Sequence, residues 1–272
     1  MLVRALRRCW RLPQLVALLA GGLFTVLVLF PFGSEAFRRN AIRRWSAMLV
    51  GACGVRTSEA RAGGTRALGE LAPGRMVLAN HVSWIDIFVI NARAPCGFVA
   101  KAEIARWPLI GTLVARTGTL FIERGKRNAV HRMIEVVALR LQGGGRVAVF
   151  PEGTTSDGAR LLPFHANLVE GAIRAGAPLV PVGLQYTDGT PGAGAIEYIG
   201  DTTFIASLWR IIGARTVHCR VFTLDEIEAS DGASRHELAQ QARLALALAT
   251  GLPLDDTLPD NLRRIRGGVA RA

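Results

Sequence analysis

The sequence has 272 residues, half of them hydrophobic, and its 33 Lys and Arg against 21 Asp and Glu give a formal charge of +12. A chain of this length can bury one good-sized core, which predicts one large domain with at most a small appendage. The positive charge indicates a polyanionic partner, and without a basic-aromatic recognition motif we expect phospholipid headgroups and no nucleic acid. Four scattered cysteines without a C-x-x-C pair indicate no metal site, no disulfide framework and a reducing, cytoplasm-facing domain.

The first predicted element is a membrane segment. No charged residue lies between positions 12 and 34, and the almost wholly apolar run at 15–30 is close to the roughly 20 residues that span a bilayer. Arginines flank both ends, which favours a helical hairpin that enters one leaflet and returns through Pro31 and Gly33, with its second arm at 42–55. A single span and a cleaved signal peptide remain as alternatives. We expect residues 1–57 to anchor the protein to a membrane, the inner membrane if the source is bacterial.

After a Gly- and Ala-rich connector at 58–74, β-like runs alternate with helical periodicity. This alternation predicts an α/β fold with a mostly parallel central sheet flanked by helices, over residues 75–250, followed by a polar tail at 251–272. Ser234 and Glu237 stand at capping-box spacing before the last helix. We predict strands at 76–78, 97–100, 119–122, 147–150, 179–184, 196–199 and 217–222, and helices at 84–91, 128–142, 166–175, 203–212 and 235–250.

The sequence N-H-V-S-W-I-D at 80–86 falls where a predicted strand ends and a helix begins. Histidine suits proton abstraction near neutral pH, and a carboxylate on its second nitrogen fixes the tautomer. Five residues of continuous helix would separate the two side chains by about 140°, so we expect His81 on the preceding loop and Asp86 in the first turn. A purely structural reading is also open, because Ser83 and Asp86 have the spacing of a helix cap.

A second polar segment, F-P-E-G-T-T-S at 150–156, also follows a short buried-type strand. Its glycine allows close backbone approach, and its hydroxyl and N–H groups could cradle an oxyanion or a phosphate, although a simple polar turn fits as well. Phe121 to Arg124 ends another strand with an arginine that could bind an anionic headgroup. A serine hydrolase using Ser83 or Ser156 is disfavoured because neither lies in a G-x-S-x-G turn.

Taken in this order, the blocks resemble the glycerolipid acyltransferase family, which includes the lysophosphatidic acid (1-acylglycerol-3-phosphate) acyltransferases. His81 and Asp86 fit the H-x4-D motif, and the F-x-x-R, F-P-E-G-T and V-P-V blocks follow; Lys101, Glu103, Pro108 and Gly111 match a further spacing common in the family. The similarity covers residues 75–185. It implies that His81 takes the proton of a lysolipid hydroxyl, that Asp86 orients His81, and that the substrate site is formed by Lys101, Arg124, Glu152, Gly153, Thr154 and Thr155.

The resemblance implies acyl carrier protein or coenzyme A as the thioester co-substrate, no bound cofactor, and lysophosphatidic acid as the first acceptor. Two positions depart from the pattern. Thr155 stands where phosphate-preferring relatives commonly have arginine, and His165 stands where they have lysine or arginine. A lyso-ornithine lipid or another lysophospholipid is therefore an alternative acceptor, and a non-catalytic lipid-binding protein is an alternative of another class.

Overall fold

The structure is a computed structural model that describes residues 2–60, 66–123, 127–188, 194–230 and 232–255. Across these ranges, seven strands form one sheet in the order β1-β7-β6-β2-β5-β3-β4, and every neighbouring pair is parallel except β6 with β7. The strands are β1 Val55–Ala60, β2 Met76–Ala79, β3 Gly97–Lys101, β4 Leu120–Ile122, β5 Val147–Val149, β6 Leu179–Thr187 and β7 Val217–Thr223. The predicted mostly parallel sheet is confirmed.

Helices cover both faces of this sheet, as predicted. They are α1 Leu2–Phe24, α2 Glu35–Ala52, α3 Asp86–Asn91, α4 Ile110–Arg116, α5 Arg127–Gln142, α6 Val169–Ala175, α7 Phe204–Gly213 and α8 Arg235–Thr250. Alternation along β2 divides the core: Val77 and Ala79 face the side of α3, whereas Met76 and Leu78 face the side of α5. Ser234 caps α8 by accepting from the Glu237 N–H, which confirms the predicted start of that helix.

The N-terminal segment folds as two helices. One π-helical turn, Thr25–Leu29, continues α1, and the chain then turns through Pro31 and Gly33 before Ser34 caps α2. The helix Leu2–Leu29 is long and apolar enough to cross a membrane, and little of it is buried against the rest of the chain. The indole N–H of Trp45 donates to the Leu18 carbonyl at 2.7 Å and joins the two helices. The second arm is α2, which begins at Glu35 and so earlier than the expected residue 42.

The same N-terminal helix also contacts the domain. The Arg11 guanidinium donates to the carbonyls of Ile211, Ile212 and Ala214 at the end of α7. The last carbonyls of a helix have no partner within the helix and carry partial negative charge. A cation from α1 supplies both the missing donors and the opposite charge, so α1 is fastened to α7.

Two sequence predictions of secondary structure are wrong. The predicted strand at 196–199 is a short 3₁₀ turn, Gly194–Ile196, followed by coil. The backbone there bonds to loops of the site and not to a neighbouring strand. The Tyr198 N–H donates to the Val82 carbonyl, and the Tyr198 carbonyl accepts from the Thr155 hydroxyl. The expected connector at 58–74 contains the end of β1, an edge strand paired with β7. The polar residues of β1 do not show the apolar pattern of a buried strand.

Candidate active site

The site lies at the carboxyl ends of the parallel strands and starts from Asn80, the residue after β2. Its buried side chain continues the sheet ladder, because the amide donates to the Leu184 carbonyl at 3.0 Å and accepts from the Leu184 N–H at 2.7 Å. The chain after β2 is thereby fixed against β6. This contact sets the point from which the loop that carries His81 leaves the sheet.

His81 follows on that loop, and Asp86 is the first residue of α3, as the spacing predicted. The two side chains meet with 2.8 Å between His81 Nδ1 and Asp86 Oδ2. In the neutral imidazole, a proton on Nδ1 that is donated to the carboxylate leaves the lone pair on Nε2. The His81 ring also stacks on Phe150, with 3.9 Å between ring centroids and 8° between the planes. The arrangement orients Nε2 as a proton acceptor.

Asp86 is fully buried and accepts four hydrogen bonds. Besides His81, the N–H groups of Val82 and Ser83 donate to Oδ2 at 2.7 and 2.9 Å, and the Tyr186 hydroxyl donates to Oδ1 at 2.6 Å. The aspartate thus holds the loop before α3 and orients the histidine at once. The capping box that the spacing of Ser83 and Asp86 suggested is not formed, because no side chain caps the start of α3. A carboxylate with this many donors is held in one orientation.

Tyr186 is the functional residue that the sequence did not reveal. It lies near the end of β6, 100 residues from Asp86, and only the sheet order brings the two together. Burial and the neighbouring Asp86 raise the pKa of the Tyr186 hydroxyl well above its usual value, so the hydroxyl stays a donor. The available signal was a tyrosine just beyond the V-P-V block, on the strand next to β2.

The segment 150–156 holds the backbone of His81 from both sides. The buried Glu152 carboxyl accepts from the His81 N–H at 3.3 Å, and the Ser156 N–H donates to the His81 carbonyl at 2.8 Å. Burial raises the pKa of the Glu152 carboxyl well above its usual range, which favours its protonated form. The structure therefore places Glu152 against the backbone of His81, with 1% of the residue exposed.

The glycine and threonines of this segment surround the same edge. Gly153 has φ of +70°, and an added Cβ would lie 3.2 Å from the ring of His165, so the turn requires a residue without a side chain. Thr154 and Thr155 are half-buried, and the Thr155 hydroxyl donates to the Tyr198 carbonyl. His165 is exposed and close to Gly153.

The remaining predicted residues lie farther out. Lys101 is the last residue of β3 and is exposed at the same edge of the sheet. Arg124 follows β4 by two positions and lies outside the described residues, so its predicted role stays a prediction. Gly111 lies in the first turn of α4 against the chain at 104–105, where a Cβ would clash with the Ala105 carbonyl oxygen.

Comparison with known proteins identifies the family of this chain. A family model described as Acyltransferase matches residues 68–185. A lyso-ornithine lipid O-acyltransferase from Pseudomonas aeruginosa is 37% identical over 253 residues, which cover 91% of this chain and 93% of the relative. The chain belongs to the acyltransferase family. The resemblance stated from the motifs is confirmed, and the protein is an enzyme of that family.

A second relative agrees with this membership, and a solved structure agrees with the fold. A 1-acyl-sn-glycerol-3-phosphate acyltransferase from Neisseria meningitidis is 39% identical to this acyltransferase over 165 residues, covering 61% of the chain and 65% of the relative. The crystal structure of the 1-acyl-sn-glycerophosphate acyltransferase PlsC from Thermotoga maritima matches with a TM-score of 0.66 and 20% identity, covering 89% of this chain and 92% of the other. The second likeness supports the fold.

The serines of the acyltransferase site are poorly placed as nucleophiles. Ser83 is fully buried, and the Ser156 hydroxyl lies 3.3 Å from the His81 carbonyl oxygen and accepts from the Gly158 N–H. A serine nucleophile needs a hydroxyl that is exposed to substrate and bound to a base. The geometry therefore disfavours a serine nucleophile at either position.

Proposed function

We propose that this acyltransferase moves a fatty acyl group from a thioester directly to the free hydroxyl of a lysolipid. The observation that carries the proposal is the His81–Asp86 pair, in which the carboxylate holds Nδ1 and directs Nε2 away from Asp86. Family membership supplies the reaction class. A non-catalytic lipid-binding protein would have no need of a buried aspartate with four donors behind a half-exposed histidine.

The step needs two substrates and no covalent enzyme intermediate. His81 Nε2 takes the proton of the acceptor hydroxyl while its oxygen attacks the thioester carbonyl carbon. The tetrahedral intermediate then collapses, the C–S bond breaks, and the proton passes from His81 to the departing sulfur. The products are an ester and a free thiol, either of coenzyme A or of the phosphopantetheine of acyl carrier protein. A basic surface suits the acidic carrier protein as donor.

For the acceptor, we propose lyso-ornithine lipid first and lysophosphatidic acid second. The Pseudomonas relative that carries the first name aligns with almost the whole chain. Position 155 carries no charge, and its hydroxyl is already bound to the Tyr198 carbonyl. A phosphomonoester needs concentrated positive charge, whereas an ornithine headgroup has a carboxylate beside its own amine. Lysophosphatidic acid stays a candidate because relatives named for it share the central part of the chain.

An acceptor panel tests both levels of this proposal. Purified full-length protein in detergent receives acyl carrier protein or coenzyme A thioesters, with lyso-ornithine lipid, lysophosphatidic acid and other lysophospholipids. We expect ester formation that His81→Ala reduces by at least about 100-fold, the effect of a missing general base. Wild-type protein without activity toward any lysolipid would refute the function, and a variant with more than about a tenth of wild-type turnover would refute the role of His81.

The acceptor choice has its own test in Thr155→Arg. If lyso-ornithine lipid is the native acceptor, the added charge should shift the ratio of kcat/KM toward lysophosphatidic acid by about 10-fold or more, the value of a charged hydrogen bond. Gln240→Arg adds the same charge at an exposed position of α8 and should leave the ratio unchanged. Wild type that already prefers lysophosphatidic acid, with no response to Thr155→Arg, would overturn the choice.

We also propose that the N-terminal helices attach the enzyme to the cytoplasmic face of a membrane without crossing it. The basic residues at both ends of the apolar run, the turn at 30–33 and the contacts of Arg11 with α7 support this arrangement. A protein starting at Ser34, which lacks α1 and keeps α2 and β1, should lose most of its membrane affinity. Mass spectrometry that found a mature N-terminus near Phe37 would contradict the proposal.

A further inference from the structure

The helix α7 carries an exposed apolar face that the fold itself leaves uncovered. Ile205 and Trp209 are four residues apart, which places them on one side of the helix, and 69% and 47% of each residue is exposed. Ser207, Ile211 and Ile212 on the same helix are buried. The exposed pair is therefore a second face of α7, beyond the one that packs on the domain.

This face continues into two other exposed apolar surfaces. The Arg8 guanidinium lies 4.5 Å from the centroid of the Trp209 ring, and Arg8 Nε donates to the Trp209 carbonyl, so α7 adjoins the exposed side of α1. On its other side, the Phe204 ring contacts Trp107 with 5.7 Å between centroids. Trp107 leads into Leu109, an exposed leucine held at φ +62° at the tip of its loop.

The mixture of side chains identifies the surface that would cover this patch. Tryptophan and arginine together are typical of the membrane interface, where the ring lies at headgroup depth and the guanidinium meets anionic phosphate. Arg8 lies against the Trp209 ring in this way. Because the patch is continuous with the apolar helix proposed as the anchor, an anionic bilayer is the occupant that the charge and the apolar surface both fit.

The patch is also fastened to the catalytic turn. The Trp84 ring contacts Phe204 with 5.1 Å between centroids, and the Trp84 indole N–H donates to the Ser207 hydroxyl at 3.1 Å. Trp84 lies between His81 and Asp86 in the chain. A surface that binds to α7 would thus lie at a fixed position relative to the base.

We propose that α7 and the loop at 107–109 insert into the lipid leaflet beside α1, and so hold the bilayer against the active site. The purpose of this contact rests on the proposed function. A lysolipid and an acyl thioester would then present their reacting groups to the active site while their chains stay in lipid. It assigns to the catalytic domain a membrane contact separate from the N-terminal anchor.

Lipid-depth labelling tests the contact without relying on catalysis. In a Cys9→Ser background, Ile205→Cys is labelled with the fluorophore NBD, and Leu248→Cys on α8 is the matched control, since Leu248 is 87% exposed. The three remaining native cysteines are buried, and burial raises the pKa of Cys53 and Cys96 to about 12, so they react slowly with the label. The full-length proteins are mixed with phosphatidylcholine–phosphatidylglycerol vesicles that contain doxyl lipid.

We expect emission from position 205 to rise and to be strongly quenched, and emission from position 248 to change little. Equal quenching at the two positions, or none at 205, would overturn the proposal. Because this readout needs no substrate, it stands even if the enzyme has no lysolipid acyltransferase activity.

A pair of charge variants then tests the purpose of the contact. Ile205→Asp should lower acyl transfer to vesicle-bound lysolipid by about fivefold or more, because a carboxylate is excluded from the apolar leaflet. Transfer to a short-chain acceptor below its critical micelle concentration should not change. Leu248→Asp should alter neither activity. An equal loss in Ile205→Asp with both forms of acceptor would mean that α7 supports the site itself and does not hold it to lipid.

Discussion

Replacing Tyr186 by phenylalanine removes one hydroxyl and leaves the ring in place. That hydroxyl is 2.6 Å from Asp86 Oδ1, and both residues are buried. A hydrogen bond to a charged group is worth about 1.5–3 kcal/mol. Three donors remain on Oδ2, so we expect the barrier of the chemical step to rise by the low end of that range. This rise lowers kcat by about 10-fold. KM for both substrates should change little, since Tyr186 contacts Asp86 from the core side.

The same change should lower stability, and the assay must separate the two effects. An Oδ1 atom left without its donor costs about 1–3 kcal/mol, a fall in Tm of about 2–10 °C for a protein of this size. Ile134→Val, in the buried face of α5, should cost a similar or smaller amount without touching the site. Steady-state kinetics are compared well below the lowest Tm. If Tyr186→Phe keeps kcat within about twofold of wild type, or if Ile134→Val loses as much activity, the hydroxyl does not act through Asp86.

Two further predictions concern the supports of the catalytic loop. The raised pKa of Glu152 means that its stabilising contribution is present at low pH and is lost as the pH rises toward its folded-state pKa, at about 1.4 kcal/mol per pH unit. Glu152→Gln lacks this loss, so its Tm relative to wild type should rise between pH 5 and pH 9; a constant or falling difference would contradict the assignment. Asn80→Ala leaves the buried N–H and carbonyl of Leu184 unpaired and should lower the free energy of unfolding by about 2–4 kcal/mol. Denaturant titration measures this loss. A loss under about 1 kcal/mol would mean that water replaces the amide.

The sequence predicted the parts of the site that depend on local geometry. The five-residue spacing from His81 to Asp86 excludes a shared helix face, and so placed the histidine on the loop and the aspartate in the first turn. The sheet class followed from alternating periodicity. Strand β1 was missed because an edge strand with Arg56, Ser58 and Glu59 lacks the apolar run of a buried parallel strand.

Contacts between distant segments could not be read in this way. The donation from Tyr186 to Asp86 depends on β6 lying next to β2, and no local pattern specifies which strands become neighbours. The same holds for residues 196–199, whose apolar sequence suggested a strand. The backbone N–H and carbonyl of Tyr198 bind the loops at Val82 and Thr155, and these loops meet it only in the folded domain.

The two polar segments of the family motif have different tasks in this geometry. The turn from His81 to Asp86 carries the proposed base, whereas Glu152 and Ser156 fix the N–H and the carbonyl of His81. A segment that served the acceptor alone would change KM for the lysolipid when altered, and kcat would follow only weakly. Because Glu152 binds the His81 N–H, a shift of the segment 150–156 should move His81 Nε2 and lower the rate for every acceptor. Changes at Glu152 should therefore reduce kcat for lyso-ornithine lipid and lysophosphatidic acid alike, while changes at Thr155 should redistribute kcat/KM between them.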